Sequence, residues 1–209
     1  MSRSTGNRTI TVLAVLVAAL ALLTTPAQAS ARTAPAKPAT GSIVLTFGPS
    51  YVQQMFKAGV FIYGSSDVSV KMSDSTALSA IVPLNGESTS TPTTLIQVDG
   101  EAGGVDFFNG PGDATAGIAG LAIRRTGTTG MITGRVIGPY SAEAGQFDAT
   151  LPVFSLSSVR TTRSTTGWKM TAKMTLTDRG ATALNTLLKT TFFREGTPVG
   201  SFNADVKAG

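Results

Sequence analysis

The chain has 209 residues, with 17 Lys and Arg against 12 Asp and Glu, and neither histidine nor cysteine. Lack of cysteine excludes disulfides and thiol nucleophiles. Lack of histidine excludes a Ser-His-Asp triad, the commonest general base and most zinc sites.

The chain opens with Arg3 and Arg8, an apolar run from Ile10 to Leu23 apart from Thr11, and the small-residue triplet Ala27-Gln28-Ala29. Together these parts make a secretory signal peptide over residues 1–29. The run falls short of the ~20 apolar residues of a spanning helix, so no transmembrane segment is expected after cleavage. The expected location is extracellular, free or loosely held at the cell wall. Removing Arg3 and Arg8 leaves 15 basic residues against 12 acidic ones. A net charge near +3 does not call for a nucleic-acid partner. The basic pairs Arg124-Arg125 and Arg160 with Arg163 lack interleaved aromatic residues for stacking on bases. An anionic cell-envelope component or an unknown extracellular ligand remains as a partner.

Residues 30–40, SARTAPAKPAT, read as a disordered linker. A single domain is expected over 41–207. Strands are predicted over 42–46, 68–72, 78–84, 93–98, 105–108, 117–124, 130–137, 146–155, 168–176 and 201–206. The strongest is Trp168 to Leu176. There Trp168, Met170, Ala172, Met174 and Leu176 point one way, and Lys169, Thr171, Lys173 and Thr175 the other. Turn residues punctuate the strands at Asn85-Gly86, Asp99-Gly100, Asn109-Gly110-Pro111-Gly112, Gly138-Pro139 and Gly196-Thr197-Pro198. Two helices interrupt them. One spans 49–58, with Pro49 in its first turn and Gly59 behind it. The other spans 178–189, with Thr177 as N-cap and Lys189 at its negative end. Each follows a Leu-Thr pair and precedes aromatic residues, Phe61 and Tyr63 or Phe192 and Phe193, as if one helix closed each end of a β-core. The fold class is mainly β: an antiparallel sandwich or barrel with two short helices.

The chemistry left to such a chain is that of carboxylates. Asp99, Glu101, Asp106 and Asp113 fall in one glycine-rich stretch. Paired acids such as Asp99, Glu101 and Asp106 could hydrolyse a glycoside of the wall, and the four together could hold calcium. Hairpin turns use the same residues. No S-x-x-K or G-x-S-x-G occurs. Gly117-Ile118-Ala119-Gly120 lacks the lysine of a phosphate loop.

Three spaced motifs carry a resemblance: Met174-Thr175-Leu176-Thr177, Gly180-Ala181-Thr182-Ala183-Leu184-Asn185 and Phe193-Arg194-Glu195-Gly196-Thr197-Pro198-Val199-Gly200. Leu45-Thr46, Ala58-Gly59-Val60, Gly103-Gly104-Val105 and Leu151 to Leu156 extend it. The pattern resembles secreted actinobacterial domains related to the HtaA haem-uptake family. The resemblance implies a mostly β, Ig-like domain at the cell surface. It also implies a tyrosine as axial haem ligand, supported by a histidine. Tyr51 stands where that tyrosine is expected. Glu101 and Ala102 stand before the glycines where the histidine is expected. The reading is a secreted non-enzymatic domain that binds an extracellular ligand and needs no cofactor. The alternatives are a haem or apolar-ligand carrier using Tyr51, and a carboxylate-only glycosidase.

Overall fold

The computed structural model describes residues 37–65, 67–73, 76–89, 95–98, 104–141 and 145–208. The proposed signal peptide, most of the linker, and Asp99, Glu101 and Ala102 lie outside them. Among the described residues the elements are β1 (Lys37–Phe47), α1 (Pro49–Lys57), β2 (Val60–Gly64), β3 (Ser69–Met72), β4 (Leu78–Thr89), β5 (Leu95–Val98) and β6 (Val105–Asn109). There follow β7 (Ala114–Thr126), β8 (Thr129–Ser141), β9 (Gly145–Ser164), β10 (Gly167–Leu176), α2 (Asp178–Leu188) and β11 (Pro198–Ala208).

All pairings are antiparallel. The order β7-β5-β4-β1-β11-β10-β9-β8 closes through a β7–β8 pairing into an eight-stranded barrel. Strand β6, with β2 beyond it, extends from the first half of β7, and β3 flanks β4. Of the two architectures expected, the barrel forms: one sheet closes on itself, and among the described residues no second sheet faces it.

Alternation explains the core. Ile43, Leu45 and Phe47 of β1, Ala80, Val82 and Leu84 of β4, and Trp168 to Leu176 of β10 at every second position are all buried. An eight-stranded barrel has an interior that side chains just fill, and these residues fill it. The outward Lys169, Thr171 and Lys173 are exposed.

Several boundaries differ from expectation. Strand β1 starts at Lys37, inside the predicted linker, with Lys37 opposite Ser88 and Ala39 opposite Ala208. Pro38 is tolerated because only β4 flanks the strand at that point, so its missing N–H costs no ladder bond. Asn85-Gly86 is no turn but lies within β4, opposite Thr40 and Ala39. Gly138-Pro139 is a register shift inside β8. A Cβ on Gly138 would stand 2.2 Å from Leu187, so the glycine lets α2 lie against the barrel wall.

The helices do not close opposite ends. Phe47 pairs with Gly200, and Thr175 with Pro198, so β1 and β10 both finish beside the start of β11. Both helices therefore leave from the same end of the barrel. Thr177 caps α2 as expected, its Oγ1 accepting from Gly180 N–H at 3.0 Å. Gly59, at φ 75, follows α1 in the left-handed conformation that ends a helix.

Candidate functional site

Where β1 runs out, Gly48 N–H donates to Val199 C=O at 2.9 Å and fixes the start of α1 over the barrel rim. Helix α1 then buries Tyr51, Val52 and Met55. Tyr51 is only 6% exposed. Its ring lies 6.2 Å from Phe47 on one side and 5.5 Å from Phe192 on the other. Phe47 in turn contacts Phe107 and Phe154, each at 6.5 Å, and Phe107 and Phe192 both contact Phe193. A continuous set of rings thus runs from the barrel interior to its rim, with Tyr51 and Phe192 outermost.

Phe192 sits on the segment after α2. Lys189 ends that helix at φ 50, its N–H donating to Thr186 C=O at 3.4 Å and Thr190 N–H donating to Asn185 C=O at 3.0 Å. Asn185 holds the returning segment at both of its polar atoms. Nδ2 donates to Phe193 C=O at 2.7 Å, and Oδ1 accepts from Phe193 N–H at 3.0 Å. Gly196 N–H to Leu176 C=O (2.9 Å) and Leu176 N–H to Thr197 C=O (3.1 Å) fasten its far end. The segment is a fixed wall for whatever lies against it.

Between this wall and α1 is an open cavity of about 490 Å³, lined among others by Tyr51, Gln54, Thr190, Phe192 and Arg194. A second cavity of about 490 Å³ adjoins Tyr51 on the β10–β11 side, where Ser157 and Lys173 line it. Burial pushes the Tyr51 phenol well above its usual range, so it is protonated in the free protein. Arg194 shares the cavity with it. No group among the described residues hydrogen-bonds to the Tyr51 hydroxyl.

Of the four acids of the glycine-rich stretch, Asp106 and Asp113 are among the described residues. Asp106 is on β6, opposite Tyr63 and Gly117, while Asp113 lies in the turn before Ala114, which pairs with Asn109. Three ladder rungs, about 10 Å, separate the two positions. Asp99 and Glu101 lie outside the described residues, and among the described residues no three His, Cys, Asp or Glu gather at a metal-sized point. Burial raises the Asp106 carboxyl, and that charge helps raise the Tyr63 phenol across the strand pair, after burial. No described helix is long and apolar enough to cross a membrane. The parts of the cavity that sequence reasoning missed are Phe192 and Arg194. The aromatic pair after α2 was visible, but nothing in the chain order says that it meets α1.

The antiparallel barrel with two helices is shared with solved structures. The C-terminal domain of HtaA from Corynebacterium glutamicum superposes with a TM-score of 0.56 at 17% identity, over 81% of this chain and 99% of that one. The heme-binding protein HtaB from the same organism gives 0.55 at 12% identity, over 82% of this chain and 94% of that one. The N-terminal domain of HtaA gives 0.55 at 12%, over 83% and 99%. At these identities the shared property is the fold, and the resemblance read from the C-terminal motifs holds at that level. No family model matches the chain, and no curated protein does.

Proposed function

We propose that the protein is a non-enzymatic carrier that binds haem against Tyr51, a narrower reading than an interaction module of unspecified ligand. The observation that carries it is Tyr51, its ring buried between Phe47 and Phe192, on the lining of a cavity of about 490 Å³. The residues present fit such a group. Phe192 and Tyr51 offer ring surface, Thr190 and Thr191 offer hydroxyls, and Arg194 offers a cation for a carboxylate. When bound, haem supplies a Lewis-acidic ferric iron, for which a phenolate oxygen is a suitable donor. Tyr51 would be that donor, releasing its proton as it ligates. The fold shared with a heme-binding protein supports the reading. With no histidine in the chain, no imidazole supports the phenolate.

The test is a haem titration followed by quenching of the fluorescence of Trp168, the chain's one tryptophan. We expect saturable quenching at one haem per chain. Phe192→Ala should weaken it by about tenfold, in line with roughly 1–1.5 kcal/mol for one aromatic contact. Arg194→Gln should weaken it less at high salt than at low salt. Unsaturable quenching that is the same in both variants would remove the proposal.

A further inference from the structure

The charges of this chain are unevenly placed. The segments 124–130, 157–173 and 201–207 carry seven cations and a single acid, Asp205. The rest of the chain after residue 29 carries eight cations and eleven acids. The fold brings these three segments together. Lys169 lies opposite Asp205 and Gly167 opposite Lys207 on β10–β11, and Thr171 lies opposite Arg160 on β9–β10. Beyond Leu156, which pairs with Gly130, strand β9 outruns β8. Arg125 bridges to this overhang, donating to Thr161 Oγ1 at 2.7 Å and to Gly127 C=O at 2.7 Å. Arg160, Lys169 and Lys207 are all exposed on the outer face of the sheet. Asp205 meets Lys169 at 3.1 Å, and both side chains are largely in solvent, so the pair neutralises little of the patch.

Keeping the β9 overhang from pairing with other chains would explain cations along its edge. It does not explain Lys169 and Lys207, which sit on central strands flanked on both sides or on their neighbours' faces. We propose that the outer face of β9–β11 docks a phosphate-bearing anionic polymer of the cell envelope. Arg160 provides the planar fork that suits a phosphate, Lys169 and Lys207 provide point charges, and the exposed Thr162 and Thr171 provide hydroxyl donors between them. A polymer is favoured over a lipid surface because the large exposed apolar residues, Phe61, Tyr63, Met72, Met131 and Phe147, all lie outside β10, β11 and the β9 overhang. The face therefore has no anchor to insert between lipids. This proposal does not rest on the haem reading, since Arg160, Thr162, Lys169, Thr171 and Lys207 line neither Tyr51 cavity.

The experiment is binding of the purified protein to long-chain inorganic polyphosphate, to polyglutamate and to phosphatidylglycerol vesicles. Polyphosphate should bind best, losing about tenfold or more in affinity between 50 and 200 mM salt. The triple variant R160S/K169S/K207S should lose at least tenfold at low salt with an unchanged melting temperature. A control variant, K57S/K71S/R179S, removes the same charge from other surfaces and should bind like the parent. Equal loss in the two variants would reduce the effect to net charge and overturn the proposal. So would polyglutamate or vesicles binding as tightly as polyphosphate.

Discussion

Tyr51 is the residue on which most depends. Its phenol is protonated in the fold and reaches the solvent range only on unfolding, which gives a stability test independent of any ligand. A group whose folded pKa exceeds its unfolded value stabilises fully below the unfolded pKa, near 10, and loses that contribution as pH rises further. The parent should therefore lose about 1.4 kcal/mol of stability per pH unit above pH 10 from this group alone. Tyr51→Phe should lack that loss in chemical denaturation at pH 9 and pH 11; equal losses would place the phenol in water. Asn185 is a positioning residue of a different kind. Asn185→Ala removes both bonds to the Phe193 backbone and leaves its C=O and N–H without partners. We expect a cost of about 1–3 kcal/mol, together with faster amide exchange across residues 189–197. Tyr51 was legible as a candidate because a tyrosine in the first turn of a short helix matches a motif. Its burial and its ring partners were not, because they come from the far end of the chain.

Among the elements, α2 depends on a cap and a clearance. Thr177 Oγ1 accepts from Gly180 N–H and donates toward Pro152 C=O at 2.6 Å, so one hydroxyl joins the helix to β9. Thr177→Ala should cost about 1–2 kcal/mol, read as a lower denaturation midpoint with unchanged m-value. Gly138→Val should cost less than that, because its new methyls would meet only the half-exposed Leu187 side chain, which can turn aside. A variant destabilised by more than the cap change would show that Leu187 is held in place against β8. The elements were mostly readable. Period-2 alternation marks β10 and β11 clearly, and the helical stripes and caps mark α1 and α2. Strand β2 was missed because VFIYG is apolar on both faces and too short to show a period. The end of β9 was missed because SSVRTTRS is polar, and Ser158 at φ 54 breaks the alternation where the overhang begins.

For the whole molecule, function follows from closure. Alternation tells which face of a strand is buried, but not whether the sheet closes, so barrel and sandwich stayed open until β7 met β8. At this size side chains can fill the interior, and Phe47, Phe107, Phe154 and Phe202 are essentially fully buried. The proposed haem site lies at the rim, from which both helices leave and where Phe192, after α2, meets Tyr51 of α1. The cationic face of β9–β11 would let the same molecule rest on an envelope polymer without covering that rim.

The central claim is that Tyr51 is the haem donor, and the visible spectrum of ferric haem added to the purified protein tests it most directly. We expect a tyrosinate-type spectrum at one equivalent, replaced in Tyr51→Phe by that of haem without a protein donor. A Tyr51→Phe spectrum identical to the parent's, or a parent spectrum identical to free haem, would contradict the account.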